Sequence, residues 1–130
     1  MRGAFRAAVA ASAVLLCAAG AQAADDANPQ DCRPDGNQMQ MNACAVRDYR
    51  AADVALNIRY GEVMKSLSPQ VRTALRNEQR AWLKGRDPGC KTASKGSEGG
   101  SIWPLVFYGC LERSTRERTA ALDLWKGRQQ

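Results

Sequence analysis

The chain has 130 residues, 45% of them hydrophobic and 25% charged, with 19 basic and 13 acidic side chains and no histidine. That composition suits one globular domain and the length is too short for two. Without histidine, a hydrolase triad lacks the usual base that takes the nucleophile's proton, and no enzymatic activity is expected.

The first 23 residues form a separate unit. Arg2 and Arg6 precede an apolar run from Ala7 to Ala19, and Ala21-Gln22-Ala23 follows with the small-x-small pattern of a signal peptidase site. The apolar run is shorter than the roughly 20 residues that span a bilayer, so a cleaved export signal is expected and no membrane span should remain after cleavage. Leu16 stands before Cys17, where a lipoprotein site wants a small residue. Cleavage after Ala23 leaves 17 basic against 13 acidic residues, a net charge of +4, in a single domain over 24–130 with its core at about 32–125. Localisation in the periplasm or outside the cell follows.

Processing also removes Cys17 and leaves Cys32, Cys44, Cys90 and Cys110, an even set with no C-x-x-C spacing. In an exported protein this reads as two disulfides, with no metal and no cofactor. Thiol catalysis is thereby excluded as well, because pairing consumes every mature thiol.

The stretch 24–31 is polar and is expected to fray. Asp35 or Asn37 then offers an N-cap to a first helix over Asn37–Leu67. Met41, Ala45, Tyr49, Ala52, Leu56, Tyr60, Val63 and Leu67 recur at a period near 3.5, which keeps them on one helical stripe. Ser68-Pro69 ends that helix and starts the next, since Pro at the first helical position has no N–H to leave unsatisfied. So short a connection predicts antiparallel neighbours.

A second helix is expected from Pro69 to about Asp87. Its stripe is Val71, Leu75, Glu78, Trp82 and Gly85 or Arg86, and Pro88 is expected to stop it. Residues 88–100, PGCKTASKGSEGG, then read as a loop of about a dozen residues, a length that is usually functional or mobile. Ser101 and Pro104 open a third helix with the stripe Phe107, Leu111, Thr115, Arg118, Leu122 and Trp125. Glu112 and Arg116 form an i, i+4 pair outside it. No alternating strand pattern occurs. The fold class is therefore all-α, a small three-helix antiparallel bundle stapled by two disulfides.

Two disulfide patterns are open. Folding back at Ser68 brings Cys90 opposite residue 46 of the first helix, which favours Cys44–Cys90 with Cys32–Cys110. Local pairing, Cys32–Cys44 with Cys90–Cys110, pins the N-terminal arm and closes the loop with less coordination between distant segments, and is slightly preferred. Either should contribute about 3 kcal/mol per bridge.

Four charges stand out. The antiparallel count puts Arg86 opposite residue 50, within reach of Asp48 or Asp53, and Arg118 must find a carboxylate or carbonyl if its stripe is buried. A polar brace between helices is the expected arrangement. Trp82, Trp125, Tyr49 and Tyr60 lie on the stripes as core residues, while Trp103, beside the long loop, should be partly exposed. The basic residues are spread along the chain and mostly alternate with acids, so nucleic acid is not an expected partner.

The motifs N-Q-M-Q-M-N-A-C-A at 37–45, A-A-D-V-A-L-N at 51–57, Q-R-A-W-L-K-G-R-D at 79–87, G-G-S-I-W-P-L-V-F-Y-G-C-L at 99–111 and E-R-T at 117–119 together resemble the lysozyme inhibitor LprI-like N-terminal domain family. The resemblance covers about Cys32 to Trp125. It makes family positions of the four cysteines, Asp53, Asn57, Trp82, Arg86 and Asp87. The family usually has small or acidic residues between Arg-Asp and the third cysteine, whereas Pro88-Gly89 stand here. The resemblance implies a role against lysozyme. The expected function is an exported binding protein that occludes the active-site cleft of lysozyme, with the 88–103 loop projecting Lys91, Lys95, Glu98 or Trp103 into an acidic cleft; the alternative is an envelope interaction or structural module with no anti-lysozyme action. Animal lysozymes are themselves basic, so a net charge of +4 gives no long-range steering towards them.

Overall fold

The computed structural model describes residues 27–129, and the export signal expected at 1–23 lies outside them. Three helices carry the fold: α1 (Gln38–Lys65), α2 (Pro69–Ser94) and α3 (Trp103–Leu122). The described residues contain no strand. Single turns of 3-10 helix at Pro29–Asp31, Lys95–Ser97 and Asp123–Trp125 extend or link them. The 29–31 turn replaces part of the fraying expected for 24–31, because the Asn28 side chain accepts from the Gln30 N–H and caps it.

Helix α1 starts at a reciprocal cap. The Asn37 side chain accepts from the Gln40 N–H at 3.0 Å, and the Gln40 side chain accepts from the Asn37 N–H at 3.0 Å, which satisfies two otherwise orphaned donors. Along the stripe, Ala45, Ala52, Leu56, Val63 and Leu67 are buried, and Met41, Tyr49 and Tyr60 are half-buried. The α1–α2 turn is tight, as the Ser68-Pro69 pair requires. Ser68 occupies the N-cap position with extended backbone, yet its hydroxyl is buried without a hydrogen-bond partner. Arg72 Nε instead crosses the turn to the Met64 carbonyl at 2.8 Å, a second donor beside the Leu67 N–H for this acceptor at the end of α1. The C-terminal tail returns to the same corner, where the Gly127 N–H donates to Ser66 Oγ and the Gln129 side chain to the Ser66 carbonyl.

Helix α2 departs from the sequence expectation. It does not stop at Asp87 but runs through Pro88 to Ser94, so the dozen-residue loop over 88–100 does not exist. An internal proline removes one backbone hydrogen bond and costs about 3 kcal/mol. Two neighbours offset that cost here. Arg86 is tied on one side, and on the other Cys90 is buried and bonded to Cys110. The continued helix also changes the stripe. Val71, Leu75, Gln79, Trp82, Arg86 and Cys90 follow at steps of four, four, three, four and four, so buried Gln79 takes the place expected for Glu78, which is exposed.

The chain between α2 and α3 is an elbow of successive turns. The N–H groups of Glu98, Gly100 and Trp103 donate to the carbonyls of Lys95, Ser97 and Gly100. Gly99 sits at φ +79°, a left-handed conformation that favours glycine. Ser101 does not cap α3 as expected; Ile102 precedes the helix, and the Ser101 carbonyl accepts from the buried Asn42 side chain at 2.8 Å.

The two disulfides are Cys32–Cys44 and Cys90–Cys110, with Cα separations of 4.5 and 5.6 Å. The local pairing is the one adopted, and the alternative built on an α1–α2 count fails for a packing reason. Helix α3, not α2, lies closest along α1, and across the α1–α2 gap the long Arg86 side chain reaches Tyr49 and Asp53 while the short side chains of Cys44 and Cys90 do not meet.

Candidate functional site

The core is divided into two apolar clusters with a polar layer between them. At the Ser68 end, Leu56, Val63, Leu67, Val71, Leu75 and Leu122 pack together, with Tyr60, Met64, Trp82 and Trp125 against them. At the elbow end, Cys90, Phe107 and Leu111 pack with Tyr49, Trp103, Tyr108 and Cys110.

Arg86 is the hub of the layer. Its side chain is 8% exposed and touches all three helices. Nε donates to Asp87 Oδ1 at 2.8 Å, Nη1 to Asp53 Oδ1 at 3.1 Å and Thr115 Oγ1 at 3.4 Å, and Nη2 to the Tyr49 hydroxyl at 2.9 Å. The guanidinium carbon also lies 5.3 Å from the ring centroids of both Tyr49 and Trp82, within cation–π range. Burial works against the Arg86 charge, but hydrogen bonding to Asp87, the field of Tyr49 and the bond to Asp53 outweigh it and hold its pKa above the usual value. Burial pushes the Tyr49 phenol up, with Asp53 and Asp87 adding to the shift and Arg86 opposing it.

Arg118 forms the second half of the layer. Its Nε donates to Gln79 Oε1 and its Nη1 to Glu78 Oε1, both at 2.7 Å, and its guanidinium lies 5.9 Å from the Trp82 centroid. Its Nη2 is buried and meets no acceptor. The two guanidiniums thus share Trp82, while their carboxylates Asp53, Asp87 and Glu78 stay partly exposed.

The residues singled out in the sequence divide accordingly. Asp53, Trp82, Arg86, Asp87 and Arg118 come together in this layer. Asp48 does not join them, since it pairs with Arg47 at 2.8 Å beside an apolar hollow lined by Met41, Leu105 and Gly109. Asn57 is exposed on α1. Lys91, Lys95 and Glu98 are exposed around the elbow. Trp103 is half-buried and stacks on Phe107 with centroids 4.8 Å apart, its rim facing a shallow recess shared with Glu98, Gly99 and Gly100.

Three buried polar residues were missed: Asn42, Gln79 and Ser94. Asn42 accepts from Gln38 at 2.8 Å and donates to the Ser101 carbonyl, tying α1 to the elbow. Ser94 returns its hydroxyl to the Cys90 carbonyl at 2.8 Å and closes the last turn of α2. Extending the α2 stripe past Pro88 would have exposed Gln79 as a stripe position, but nothing in the local pattern marks Asn42 as a cross-chain tie.

The arrangement positions and rigidifies. The polar layer locks helix register, and the disulfides, Asn42 and the stacked rings hold the elbow in one shape. Among the described residues no group of three potential ligands could hold a metal ion. None of their helices is long and apolar enough to cross a membrane. The two disulfides belong to an oxidising compartment outside the cytoplasm.

Comparison with known proteins places this architecture in a family. A protein of Rhizobium meliloti (strain 1021) described as uncharacterized is 38% identical over 131 residues, an alignment spanning 91% of this chain and 94% of that protein. No solved structure matches the chain. Residues 30–122 match the family described as Lysozyme inhibitor LprI, from just before the first disulfide to the end of α3, and the chain belongs to that family.

Proposed function

We propose that the chain is an exported binding protein that inhibits lysozyme by occluding its active-site cleft, with the elbow between α2 and α3 as the inserting element. The match to the lysozyme inhibitor family over residues 30–122 is the observation that carries this reading. The geometry is consistent with it in a specific way. An inhibitor gains affinity when its contact element is already ordered, because less conformational entropy is lost on binding. The elbow has that property, being braced by Cys90–Cys110, the Asn42–Ser101 bond and the Trp103–Phe107 stack. Together with the last turn of α2 it presents Lys91, Lys95, Glu98 and Ile102 outward. A glycosidase cleft carries paired carboxylates, against which an inserted Lys91 or Lys95 ammonium has a counter-charge even though the net charge of +4 does not steer the encounter. Export to the periplasm or beyond, with cleavage after Ala23, completes the proposal.

The test is a lysis assay with the processed protein, lysozyme and a cell-wall substrate. Loss of lysis at micromolar excess is expected, and undiminished lysis contradicts the proposal. The net positive charge favours a second reading, an envelope interaction module with no action on lysozyme. Capture of a specific bacterial envelope protein, together with undiminished lysis, would select it.

A further inference from the structure

We infer that the outer face of α2 is a docking surface for an anionic phospholipid bilayer. Arg76, Arg80, Lys84 and Lys91 on α2, and Lys95 in the turn that continues it, succeed one another at steps of four, four, seven and four, which keeps all five on one side of the helix. Every one of them is exposed. At 1.5 Å per residue the row is about 28 Å long.

What separates this face from an ordinary solvated helix surface is where its counter-charges go. Elsewhere Arg47 is neutralised by Asp48 at 2.8 Å, Arg116 by Glu112 at 2.8 Å, Lys126 by Asp123 at 3.0 Å and Arg59 by Glu62 at 3.3 Å. On the other two long helices the exposed cations without an ion pair, Arg50 and Lys65 on α1 and Arg113 on α3, number at most two to a helix. The only carboxylates on α2 are Glu78 and Asp87, and both are engaged by the buried guanidiniums of the core, Glu78 by Arg118 and Asp87 by Arg86. Among the described residues none of the five outer cations has an ion-pair partner. The polar layer that braces the bundle therefore also leaves the back of α2 uncompensated.

The shape of the face decides the class of partner. It is the convex surface of one helix, with Leu83 as the exposed large apolar side chain beside the row. A straight row of cations without a recess suits a flat, laterally mobile array of phosphate groups better than the fixed, shaped surface of a folded protein. Anionic headgroups can gather under each cation, and each Lys or Arg at such a surface contributes about 1 kcal/mol. With little apolar insertion, the attachment should be reversible and strongly screened by salt. The face shares Lys91 and Lys95 with the elbow surface proposed above, but the inference does not rest on any action on lysozyme.

Cosedimentation with vesicles tests it. The processed protein should bind vesicles containing about 30 mol% phosphatidylglycerol at about 50 mM salt, should be released at about 500 mM, and should ignore pure phosphatidylcholine. The variant Arg76→Gln, Arg80→Gln, Lys84→Gln should lose about 100-fold in partition coefficient, following the per-residue contribution above. A second variant, Arg50→Gln, Lys65→Gln, Arg113→Gln, removes the same charge from exposed sites off this face and should lose less than a tenth as much. Equal losses in the two variants would reduce the effect to net charge and overturn the inference. So would binding to phosphatidylcholine alone, or binding to soluble heparin with no binding to vesicles, which would point to an acidic glycan. The first variant retains Lys91 and Lys95, so its inhibition of lysis should be unchanged, and the two proposals can fail separately.

Discussion

At the Ser68 end of the bundle, Leu56, Val63, Leu75 and Leu122 are essentially sealed from solvent, and the cluster is aliphatic. At the elbow end the buried set is smaller and mixed: one half-cystine, a phenylalanine and a leucine, flanked by aromatic rings and held by Cys90–Cys110. The first end is stabilised by apolar area removed from water, the second by covalent and hydrogen-bonded ties around a modest core. The elbow is the end most exposed to solvent and the end whose shape the proposed function needs. Ties that fix shape without a large apolar cluster leave that surface free for contact.

The largest effect should come from emptying the aliphatic end. Leu75→Ala should destabilise the whole domain by about 3 kcal/mol, read as a lowered denaturant midpoint, because a fully buried side chain is replaced by a cavity. If the loss were well under 1 kcal/mol, the first half of the comparison would break.

Removing Cys90–Cys110 by substituting both residues with alanine should cost about the same or slightly less, about 3 kcal/mol by loop entropy, but with a different distribution. Hydrogen exchange should accelerate most at residues 88–103 and least around Leu56 and Leu75. Uniform acceleration would mean that the two ends do not differ as described.

The smallest of these effects concerns the layer between the ends and sharpens its hierarchy. Arg86→Met should cost about 2 kcal/mol, because Tyr49 and Thr115 lose a buried partner and three helices lose a common tie. Arg118→Met should cost less than half of that. It joins α3 only to α2, its partner Glu78 can turn to water, and the disappearance of one buried donor without an acceptor offsets the partner that buried Gln79 loses. Equal or reversed losses by denaturant titration would remove Arg86 from its place as hub.

Much of this was legible in the sequence where local pattern and tertiary packing agree. The α1 stripe from Met41 to Leu67, a cap at Asp35 or Asn37, the Ser68-Pro69 corner and the α3 seam with Arg118 in it all follow from period and cap chemistry. The same logic failed at Pro88. A rule about one residue's backbone preference was overridden by a disulfide and an ion-paired arginine on either side of it, neither of which is a local property. The misplacement of Glu78 for Gln79 followed from ending α2 early, since only the longer helix fixes the phase of its stripe. In the polar layer the partner of Arg86 was narrowed to two aspartates by counting. Choosing Asp53 over Asp48 requires the rotation of α1, which α3 sets. Asn42 belonged to a quoted motif, but its bond to Ser101 crosses 59 residues and has no sequence signature.

The most direct test of the central claim is hydrogen exchange on the processed, oxidised protein with and without an excess of lysozyme. Slowed exchange confined to residues 91–103, with residues 52–75 unchanged, is the result expected if the braced elbow enters the cleft. No change anywhere, or slowing centred on another face while the elbow exchanges as before, would contradict it.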